Sequence, residues 1–310
     1  MNIGIWLQSS AKNFSFQDKH LKRLEACLPG VKIANHPDAD SFKKALPGAN
    51  IAIVWVFKQE WLENAPGLEW IATPAAGRDY FNIKPVGKMD ITYGGFHGEI
   101  IAETVLAMML SFSRGIYSSI ILQDSSPWPR ADVEKNMRTL RGSHALIVGF
   151  GNIGQWIGRL AKAFGMKITG VKRTPGRKPD YFNEKDSIIP VSCLDQVLPE
   201  ADHVILSLPR SPATDLLINE SRLSMMKKTA LLYNIGRGNA VDEDALATSL
   251  KEGSIAGAAL DVFQSEPLPV DSQLRDCPNI ILMPHASAID PGYLDLFLDE
   301  FVKMYREKYR

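Results

Sequence analysis

Short apolar segments alternate with polar segments through residues 2–95. The apolar segments have the length of strands, and the polar segments are compatible with helices. Such alternation predicts a parallel sheet with crossover helices on its faces. The predicted strands are NIGIWL, GVKIAN, NIAIVWVF, LEWIAT and DITYGG, and the helix candidates between them include QDKHLKRLEACL and QEWLENA.

A second series of strands and helices begins near residue 143, after two intervening stretches. Residues 98–115 are apolar on nearly every face apart from Glu99 and Glu103, which predicts a buried helix that could connect two domains. Residues 123–142 are polar and contain two prolines, which indicates an excursion before the second domain. The predicted strands of this domain are HALIV, MKITGV, HVILSL, TALLYNI, AGAALDV and NIILMP, with VDEDALATSLKEG as one of its helices.

The chain is predicted to end in an amphipathic helix. Asp290 and Pro291 have the character of an N-cap and a first-turn residue. A lone amphipathic helix must pack against another element, and a return to the first domain would make that domain discontinuous in sequence. The apolar face consists of Leu294, Phe297, Leu298, Phe301 and Tyr305.

Composition narrows the class of protein. The 310 residues include 35 basic and 35 acidic side chains, so the net charge favours neither nucleic acid nor an anionic membrane as a partner. The three cysteines form no CxxC or Cys/His cluster, so we expect no disulfide framework, no metal site and a cytoplasmic location. We expect no signal peptide, because the N-terminus lacks a basic n-region, a long h-region and a small-residue cleavage site. We expect no membrane span, because no apolar run approaches roughly 20 residues.

A glycine-rich motif follows the strand HALIV and precedes a helix. Gly149, Gly151 and Gly154 form GxGxxG, with Asn152 and Ile153 inside the motif. In this context the first glycine permits a tight turn, the second lets the backbone approach a pyrophosphate, and the third allows close packing of helix on strand. The motif predicts dinucleotide binding, with a glycine turn in another α/β protein as the alternative.

Three residues with phosphate-binding character follow the next strand. A carboxylate that would bind a ribose 2′-hydroxyl is expected about 20 residues after the glycines, but Lys172, Arg173 and Thr174 occupy that region. A guanidinium, an ammonium and a hydroxyl suit a 2′-phosphate. We therefore expect NADP(H) to be preferred over NAD(H). The alternative is a solvated basic loop, since Arg177 and Lys178 continue the charge.

Three further stretches carry a family resemblance: LLYNIGRGNAVDEDAL, GAALDVFQSEPLP and ILMPHAS. Together they resemble the D-isomer-specific 2-hydroxyacid dehydrogenases, a family that includes glyoxylate/hydroxypyruvate reductases. The resemblance implies an α/β protein of two doubly wound parallel-sheet domains with the active site in the cleft between them. Residues 99–285 would form a Rossmann NAD(P)-binding domain, and residues 1–98 with 286–310 a discontinuous flavodoxin-like substrate domain.

The same resemblance implies three catalytic residues. Arg237 would bind the substrate, Glu266 would orient the catalytic base, and His285 would be the acid/base. An arginine can bind the carboxylate of a 2-keto acid while polarising its carbonyl, and a histidine can donate the proton that completes the alcohol. Taken singly, they could be a surface turn, the start of a loop and a structural histidine.

Further contacts rest on the resemblance alone. Asp261 would face the nicotinamide carboxamide, with a structural strand-end aspartate as the alternative. Ala76 and Gly77 in PAAGRD would offer backbone amides to the substrate carboxylate, and Arg78 departs from the small or apolar residue expected next to them. The remaining predicted cofactor contacts are Leu208, Pro209, Thr214, Ile235 and Gly236, near which Arg210 is either a solvated side chain or a further phosphate contact.

These inferences favour an NADPH-preferring reductase of small 2-keto acids such as glyoxylate or hydroxypyruvate. Two alternatives are a formate- or phosphite-type dehydrogenase on the same fold and a dinucleotide-sensing regulatory protein. A homodimer is also expected, partly from the resemblance and partly because Trp128 and Met137 in the excursion need burial.

Overall fold

A computed structural model describes residues 1–78, 81 and 83–309 of the chain. Asp79, the last residue of the PAAGRD motif, lies outside the described residues. The chain divides into two compact units, one formed by Met1–His97 with Ile289–Arg310 and the other by Gly98–Ala288. Each unit is built around its own parallel sheet, and the predicted α/β class is confirmed.

The first unit contains a five-stranded parallel sheet in the order β2-β1-β3-β4-β5. This is the flavodoxin-like order, in which the chain runs to both sides of its first strand. The two strands at residues 51–54 and 70–73 are buried at every position, as expected for a parallel sheet covered on both faces. The strands are β1 (Asn2–Trp6), β2 (Lys32–Asn35), β3 (Ile51–Val54), β4 (Trp70–Thr73) and β5 (Asp90–Tyr93).

The helices of the first unit include the C-terminal helix. QEWLENA, a helix candidate, forms a 3-10 helix at Gln59–Asn64 rather than an α-helix. Further 3-10 helices of the described residues lie at Lys12–Phe14 and Leu46–Gly48. The α-helices are α1 (Asp18–Cys27), α2 (Ala39–Ala45) and α10 (Tyr293–Lys308).

Helix α10 starts later than the sequence indicates. Its N-cap is Gly292, and the Asp290 carboxylate instead accepts a hydrogen bond from Gly292 N (2.6 Å), so the predicted N-cap residue closes a local turn before the helix. The predicted apolar face is buried except for Tyr305, which is half-buried. The ring of Phe301 stacks on Trp70 of β4 with 4.9 Å between centroids. This packing places α10 in the same unit as the N-terminal sheet.

The second unit contains a seven-stranded parallel sheet in the order β12-β11-β10-β9-β6-β7-β8. Counted from its first strand, this order is the Rossmann order with one strand added at an edge. The third of its strands, SIIP, was not among the predicted strands because it has only two strongly apolar residues and is half-buried throughout. The strands are β6 (His144–Val148), β7 (Lys167–Lys172), β8 (Ser187–Pro190), β9 (His203–Leu206), β10 (Leu231–Asn234), β11 (Gly257–Leu260) and β12 (Ile280–Leu282).

Helices cover both faces of this sheet, and short 3-10 helices lie at Val191–Cys193, Leu198–Glu200, Gly238–Ala240 and Gln273–Asp276. The apolar segment predicted as a buried helix is α3, whose Ile101, Val105 and Met109 enter the core beneath the sheet. The α-helices are α3 (His97–Ser113), α4 (Ile116–Leu122), α5 (Arg130–Glu134), α6 (Asn152–Ala163), α7 (Leu194–Val197), α8 (Glu220–Met225) and α9 (Glu243–Lys251).

Within the described part of the chain, no single helix has both the length and the apolar composition needed to cross a membrane. The pair α3 and α4, bent by 63° at their junction, passes the same test by length and composition together.

Candidate active site

The glycine-rich turn lies between β6 and α6. Gly149 has a φ of +97°, a left-handed conformation that favours glycine. A Cβ added to Gly149 would lie 2.4 Å from the carbonyl oxygen of Ser207, and one added to Gly154 would lie 2.6 Å from the carbonyl oxygen of Gly149. A Cβ at Gly151 would meet no heavy atom of the described residues within 4 Å. The first and third glycines therefore pack the turn, and the second leaves backbone open to an anion at the start of α6.

This turn occupies the switch point of the sheet. Strand β6 is central, with β7 on one side and β9 on the other. The chain proceeds from β6 to β7 and β8 and then crosses to β9, so the connections that follow β6 and β9 run toward opposite sides of the sheet. In open parallel sheets, ligands bind in the crevice that such a reversal creates.

The basic residues after β7 fall into two groups. Lys172 ends the strand and Arg173 is exposed beyond it; the described part of the chain offers neither side chain a hydrogen-bond or ion-pair partner. Arg177, by contrast, pairs with Asp180 at 3.1 Å, and Lys178 donates to a backbone carbonyl at 2.6 Å. The two later cations thus have protein partners, whereas the first two are available to a ligand.

The loop after β9 is closed by one hydroxyl. Thr214 Oγ1 accepts from Ser211 N (3.0 Å) and donates to the carbonyl of Ser211 (2.8 Å). Leu208, at the start of this loop, approaches the next turn so closely that a Cβ at Gly236 would lie 2.6 Å from its backbone nitrogen. Arg210 is exposed. The predicted cofactor contacts of this loop stay predictions.

The turn after β10 carries Arg237. Buried Asn234 shapes it: its amide nitrogen donates to the carbonyl of Arg237 (3.0 Å) and its amide oxygen accepts from Gly236 N (3.2 Å). Arg237 Nη1 donates to the carbonyl of Gly236 (2.8 Å), so the guanidinium folds back over the turn. The side chain is half-buried at the carboxyl edge of the sheet.

Glu266 and His285 form a hydrogen-bonded pair. Glu266 follows β11, His285 follows β12, and His285 Nδ1 lies 2.7 Å from Glu266 Oε2. The other carboxylate oxygen, Oε1, accepts from Phe263 N at 2.9 Å, which fixes the carboxylate. A carboxylate at Nδ1 assigns the proton to that nitrogen in neutral imidazole, so Nε2 is the nitrogen available to exchange a proton with a substrate.

The loop that carries His285 is held by a buried carboxylate. Asp261 is fully buried at the end of β11; its Oδ1 accepts from Ala286 N (2.7 Å) and its Oδ2 accepts from Ser287 N (3.0 Å). The backbone nitrogen of His285 also donates to the carbonyl of Asp261 (2.9 Å). His285 adopts a left-handed φ of 53°, a costly conformation for this residue type. The three hydrogen bonds stabilise that conformation, so Asp261 has a structural role whether or not it also contacts a carboxamide.

The loop with the predicted substrate amides lies in the first unit. It follows β4, and a Cβ at Gly94 would lie 2.2 Å from the carbonyl oxygen of Pro74. The Tyr293 hydroxyl donates to the same carbonyl (3.3 Å) and lies 2.7 Å from His97 Nε2. Burial lowers the pKa of His97 to about 4, so this histidine is neutral near neutral pH. The first residue of the loop, Pro74, is therefore held in place through its backbone carbonyl.

Arg78 lies at the end of this loop. Its guanidinium lies 5.5 Å from the ring centroid of Tyr93, in a cation-π contact. Ala76 is exposed and Gly77 half-buried. Their predicted contacts with a substrate carboxylate stay predictions.

Two positioning residues were missed by the sequence interpretation. Asn234 shapes the Arg237 turn, and the Ser207 hydroxyl donates to the carbonyl of Gly149 (2.7 Å) across the glycine turn. Asn two residues before a glycine is a turn signal that could have identified the first. Within residues 1–78, 81 and 83–309, no cluster of three or more His, Cys, Asp or Glu side chains could hold a metal ion.

The second unit matches a known family. Residues 106–287 match the model of the D-isomer specific 2-hydroxyacid dehydrogenase, NAD binding domain. The chain is 38% identical over 235 residues to the glyoxylate reductase of Pyrococcus furiosus, an alignment that covers 73% of this chain and 68% of that protein. It is 34% identical over 236 residues to glyoxylate/hydroxypyruvate reductase B of Pectobacterium carotovorum, covering 73% of this chain and 71% of that protein.

Solved structures agree with this match. A D-isomer specific 2-hydroxyacid dehydrogenase family protein from Aeromonas salmonicida has a TM-score of 0.75 at 30% identity, with 99% of this chain and 96% of that chain covered. The fold and the site therefore define an oxidoreductase that uses a nicotinamide dinucleotide. The chain belongs to the D-isomer-specific 2-hydroxyacid dehydrogenase family, and the predicted family is confirmed.

Replacing Asp261 with asparagine tests the anchoring of the His285 loop. Asparagine keeps the shape but presents one oxygen and one NH2 group to two N–H donors, so one hydrogen bond is lost. We expect Asp261→Asn to lower the free energy of unfolding by about 1.5–3 kcal/mol, the range for hydrogen bonds to a charged group. Urea denaturation measures the change, with exposed Asp271→Asn as the control. Equal stability of the two variants would contradict the anchoring role.

Proposed function

We propose that this protein is an NADPH-preferring reductase that converts a small 2-keto acid, such as glyoxylate or hydroxypyruvate, to the 2-hydroxy acid. The observation that carries the proposal is the 2.7 Å pair of His285 Nδ1 and Glu266 Oε2 at the carboxyl edge of a dinucleotide-binding sheet. The names of the similar proteins, glyoxylate reductase and glyoxylate/hydroxypyruvate reductase, support the substrate class.

The residues at the turn fit a dinucleotide. Gly151 leaves open space beside the backbone where α6 begins, and a helix N-terminus attracts a pyrophosphate. When bound, the reduced nicotinamide supplies the hydride. Asn152 and Ile153 form the first turn of α6 and lie where the anion would approach.

The substrate side of the reaction is assigned to three residues. Arg237 binds the keto-acid carboxylate and polarises the adjacent carbonyl, because a guanidinium can donate to both groups. His285 donates a proton from Nε2 to the carbonyl oxygen, which completes the alcohol. Glu266 keeps the imidazole in the required orientation through the hydrogen bond at Nδ1. A dinucleotide sensor, by comparison, would make no use of this pair.

The NADPH preference is supported by Lys172 and Arg173. Neither side chain is engaged by the described part of the protein, and a guanidinium next to an ammonium suits a 2′-phosphate. A glyoxylate/hydroxypyruvate reductase of Sinorhizobium meliloti with 25% identity and a TM-score of 0.70 was solved with NADP and malonate, over 97% of this chain and 91% of that one.

Arg173→Ala tests the cofactor preference. Losing one charged phosphate contact should weaken NADPH binding by about 10- to 100-fold and scarcely change NADH binding. Fluorescence titration of the purified protein with each cofactor measures both affinities. Arg177→Ala is the matched control, because Arg177 lies in the same loop but pairs with Asp180. Equal losses for both cofactors in Arg173→Ala would refute the proposed 2′-phosphate contact.

Variants of the acid/base pair test the reaction. His285→Ala should lower the rate of keto-acid reduction about 100- to 10,000-fold, the usual range for a positioned acid/base group, while NADPH binding is retained. Glu266→Gln should also lower it, because Phe263 N and His285 Nδ1 meet different carboxylate oxygens and glutamine replaces one of these oxygens with an NH2 group. NADPH consumption is followed against a panel of 2-keto acids, and formate and phosphite oxidation are assayed in parallel.

The pH dependence gives a second readout. Reduction consumes a proton and oxidation releases one, so the reductive rate should fall with rising pH and the oxidative rate should rise. Wild-type rates in His285→Ala, or formate or phosphite as the better substrate, would overturn the proposed function.

We also propose a homodimer formed through the excursion at residues 123–142. Trp128 is 80% exposed and lines a concavity of about 420 Å³ with Met137 and Val133. Ile120 and Ile121 on neighbouring α4 are also exposed, so the apolar surface is extensive. Patches of this kind on a soluble chain mark interfaces.

Sedimentation tests the dimer. The wild-type protein should sediment as a dimer at micromolar concentration, and Trp128→Asp should shift it to the monomer because a carboxylate would be buried without a partner. Val270→Asp, at a 92% exposed position outside the excursion, is the control and should remain dimeric. A monomeric wild-type protein would contradict the proposal.

A cytoplasmic location is proposed as well, supported by the free thiols of Cys27, Cys193 and Cys277. Cell fractionation that recovered the protein outside the cytoplasm would contradict it.

A further inference from the structure

The turn after β10 and the loop after β11 meet backbone to backbone. A Cβ added to Gly238 would lie 1.8 Å from the carbonyl carbon of Phe263 and 2.4 Å from Gln264 N. No side chain fits at this position, so the segment that carries Arg237 rests directly on the segment that leads to Glu266. Any shift of one segment must therefore move the other.

Two hydrogen bonds link the same segments. Gln264 N donates to Glu243 Oε1 at 2.6 Å, and Gln264 Nε2 donates to the carbonyl of Val241 at 2.7 Å. Glu243 is the first residue of α9, whose N-cap, Asp242, accepts from Ala245 N at 3.1 Å. The carboxylate that receives Gln264 N is thus anchored in a capped helix.

Phe263 and Glu266, which flank Gln264 in the loop after β11, link the loop to His285 by hydrogen bonds. Phe263 N donates to Glu266 Oε1, and Glu266 Oε2 pairs with His285 Nδ1. The peptide unit before Phe263 is therefore held by Glu266, and the peptide unit after it is held by Glu243. If Gln264 N loses its acceptor, the loop that sets the position of the Glu266 carboxylate loses a restraint.

We propose that Glu243 and Gln264 are positioning residues, which hold the loop after β11 so that Glu266 orients His285 for proton transfer. This inference rests on the proposed function of the pair. Neither residue is assigned contact with substrate or cofactor.

The charges around Glu243 indicate that its role is to accept a hydrogen bond and not to supply a negative charge. Burial raises the pKa of Glu243, and the carboxylates of Asp244 and Glu266 raise it further, while the hydrogen bond from Gln264 N lowers it. Holding a second carboxylate near Glu266 therefore costs free energy. A carboxylate serving only the helix dipole would be better placed at exposed Asp244, in the same first turn of α9. Unlike a carboxylate at Asp244, the Glu243 carboxylate also accepts the hydrogen bond from Gln264 N.

Substitutions at Glu243 separate the acceptor from the charge. Glu243→Ala removes the acceptor, and we expect kcat for keto-acid reduction to fall about 10- to 100-fold, as for a displaced catalytic group. Glu243→Gln keeps an oxygen that can accept from Gln264 N, so its kcat should stay within about threefold of the wild-type value. A change of this size is smaller than the loss of one hydrogen bond would produce. In both variants the Kd for NADPH, measured by fluorescence, should remain within about twofold, because no cofactor contact is removed.

Asp244→Ala is the matched control, because it removes a carboxylate from the same helical turn without touching Gln264. Its kcat should equal that of the wild-type protein. Gln264→Ala removes the bond to the Val241 carbonyl and keeps the backbone N–H, so it should lower kcat by about three- to tenfold. Melting temperatures are recorded for every variant, and Gln264→Ala decides the question if Glu243→Ala fails to fold.

Equal kcat losses in Glu243→Ala and Glu243→Gln, or wild-type kcat in Glu243→Ala or in Gln264→Ala, would overturn this inference. So would a loss confined to NADPH binding. His285→Ala is assayed beside them: if it retains activity, the proposed function itself fails. If His285→Ala is inactive while Glu243→Ala and Gln264→Ala turn over normally, only the positioning role is wrong.

Discussion

All seven strands of the second unit run parallel, and this constraint determines where its chemistry can occur. The loops that follow the strands must all leave from the same edge of the sheet, and the helices occupy both faces. The glycine turn after β6, the cations after β7, Arg237 after β10, Glu266 after β11 and His285 after β12 therefore gather at one edge although they are far apart in sequence. The sheet supplies proximity without a direct contact between most of these residues.

Proximity alone does not fix orientation, which requires that the loops pack against one another. Glycines allow this packing at three points: Gly149 against Ser207, Gly236 against Leu208, and Gly238 against Phe263. Each contact joins the loop after one strand to the loop after another. A side chain at any of them would clash with the facing backbone and push the two loops apart, which would misalign the groups they carry. The glycines are therefore as important for the relative placement of the candidate residues as for any cofactor approach.

The sequence was sufficient for the fold class and for the strand ends that carry the candidate residues, because buried parallel strands are distinct apolar segments and glycine motifs mark turns. It was insufficient where tertiary context decides. Strand β8 has too few apolar residues to be identified without its partner β7, and QEWLENA is too short for its pattern to distinguish a 3-10 from an α-helix. Asp290 has the character of an N-cap, yet the chain uses it in the turn before Gly292.

In the candidate site, too, the sequence identifies some features and tertiary contacts decide the others. The motifs identify Glu266 and His285 as residues, but the bonds that orient them come from partners whose role has no local signature. Glu243 lies 23 positions before Glu266 and is, from its sequence context, an ordinary acid in the first turn of a helix; only the fold brings it to Gln264 N. Asp261, although its motif draws attention to it, has an anchoring role that appears only when both of its oxygens are followed to Ala286 N and Ser287 N.

The backbone strain at His285 is offset by hydrogen bonds that hold its loop. Its left-handed backbone costs free energy, on the order of 1–3 kcal/mol for such conformations. The hydrogen bonds from the loop to buried Asp261 offset that cost. Because the carboxylate is inaccessible to water, its two bonds cannot be replaced by solvent, and their loss would leave a buried charge unpaired. These hydrogen bonds thus stabilise one conformation of the loop, in which the imidazole is paired with Glu266 before any substrate binds. In the proposed reaction, a proton donor placed in advance avoids the entropy of ordering it, and Asp261 would contribute to catalysis by fixing the backbone of the His285 loop.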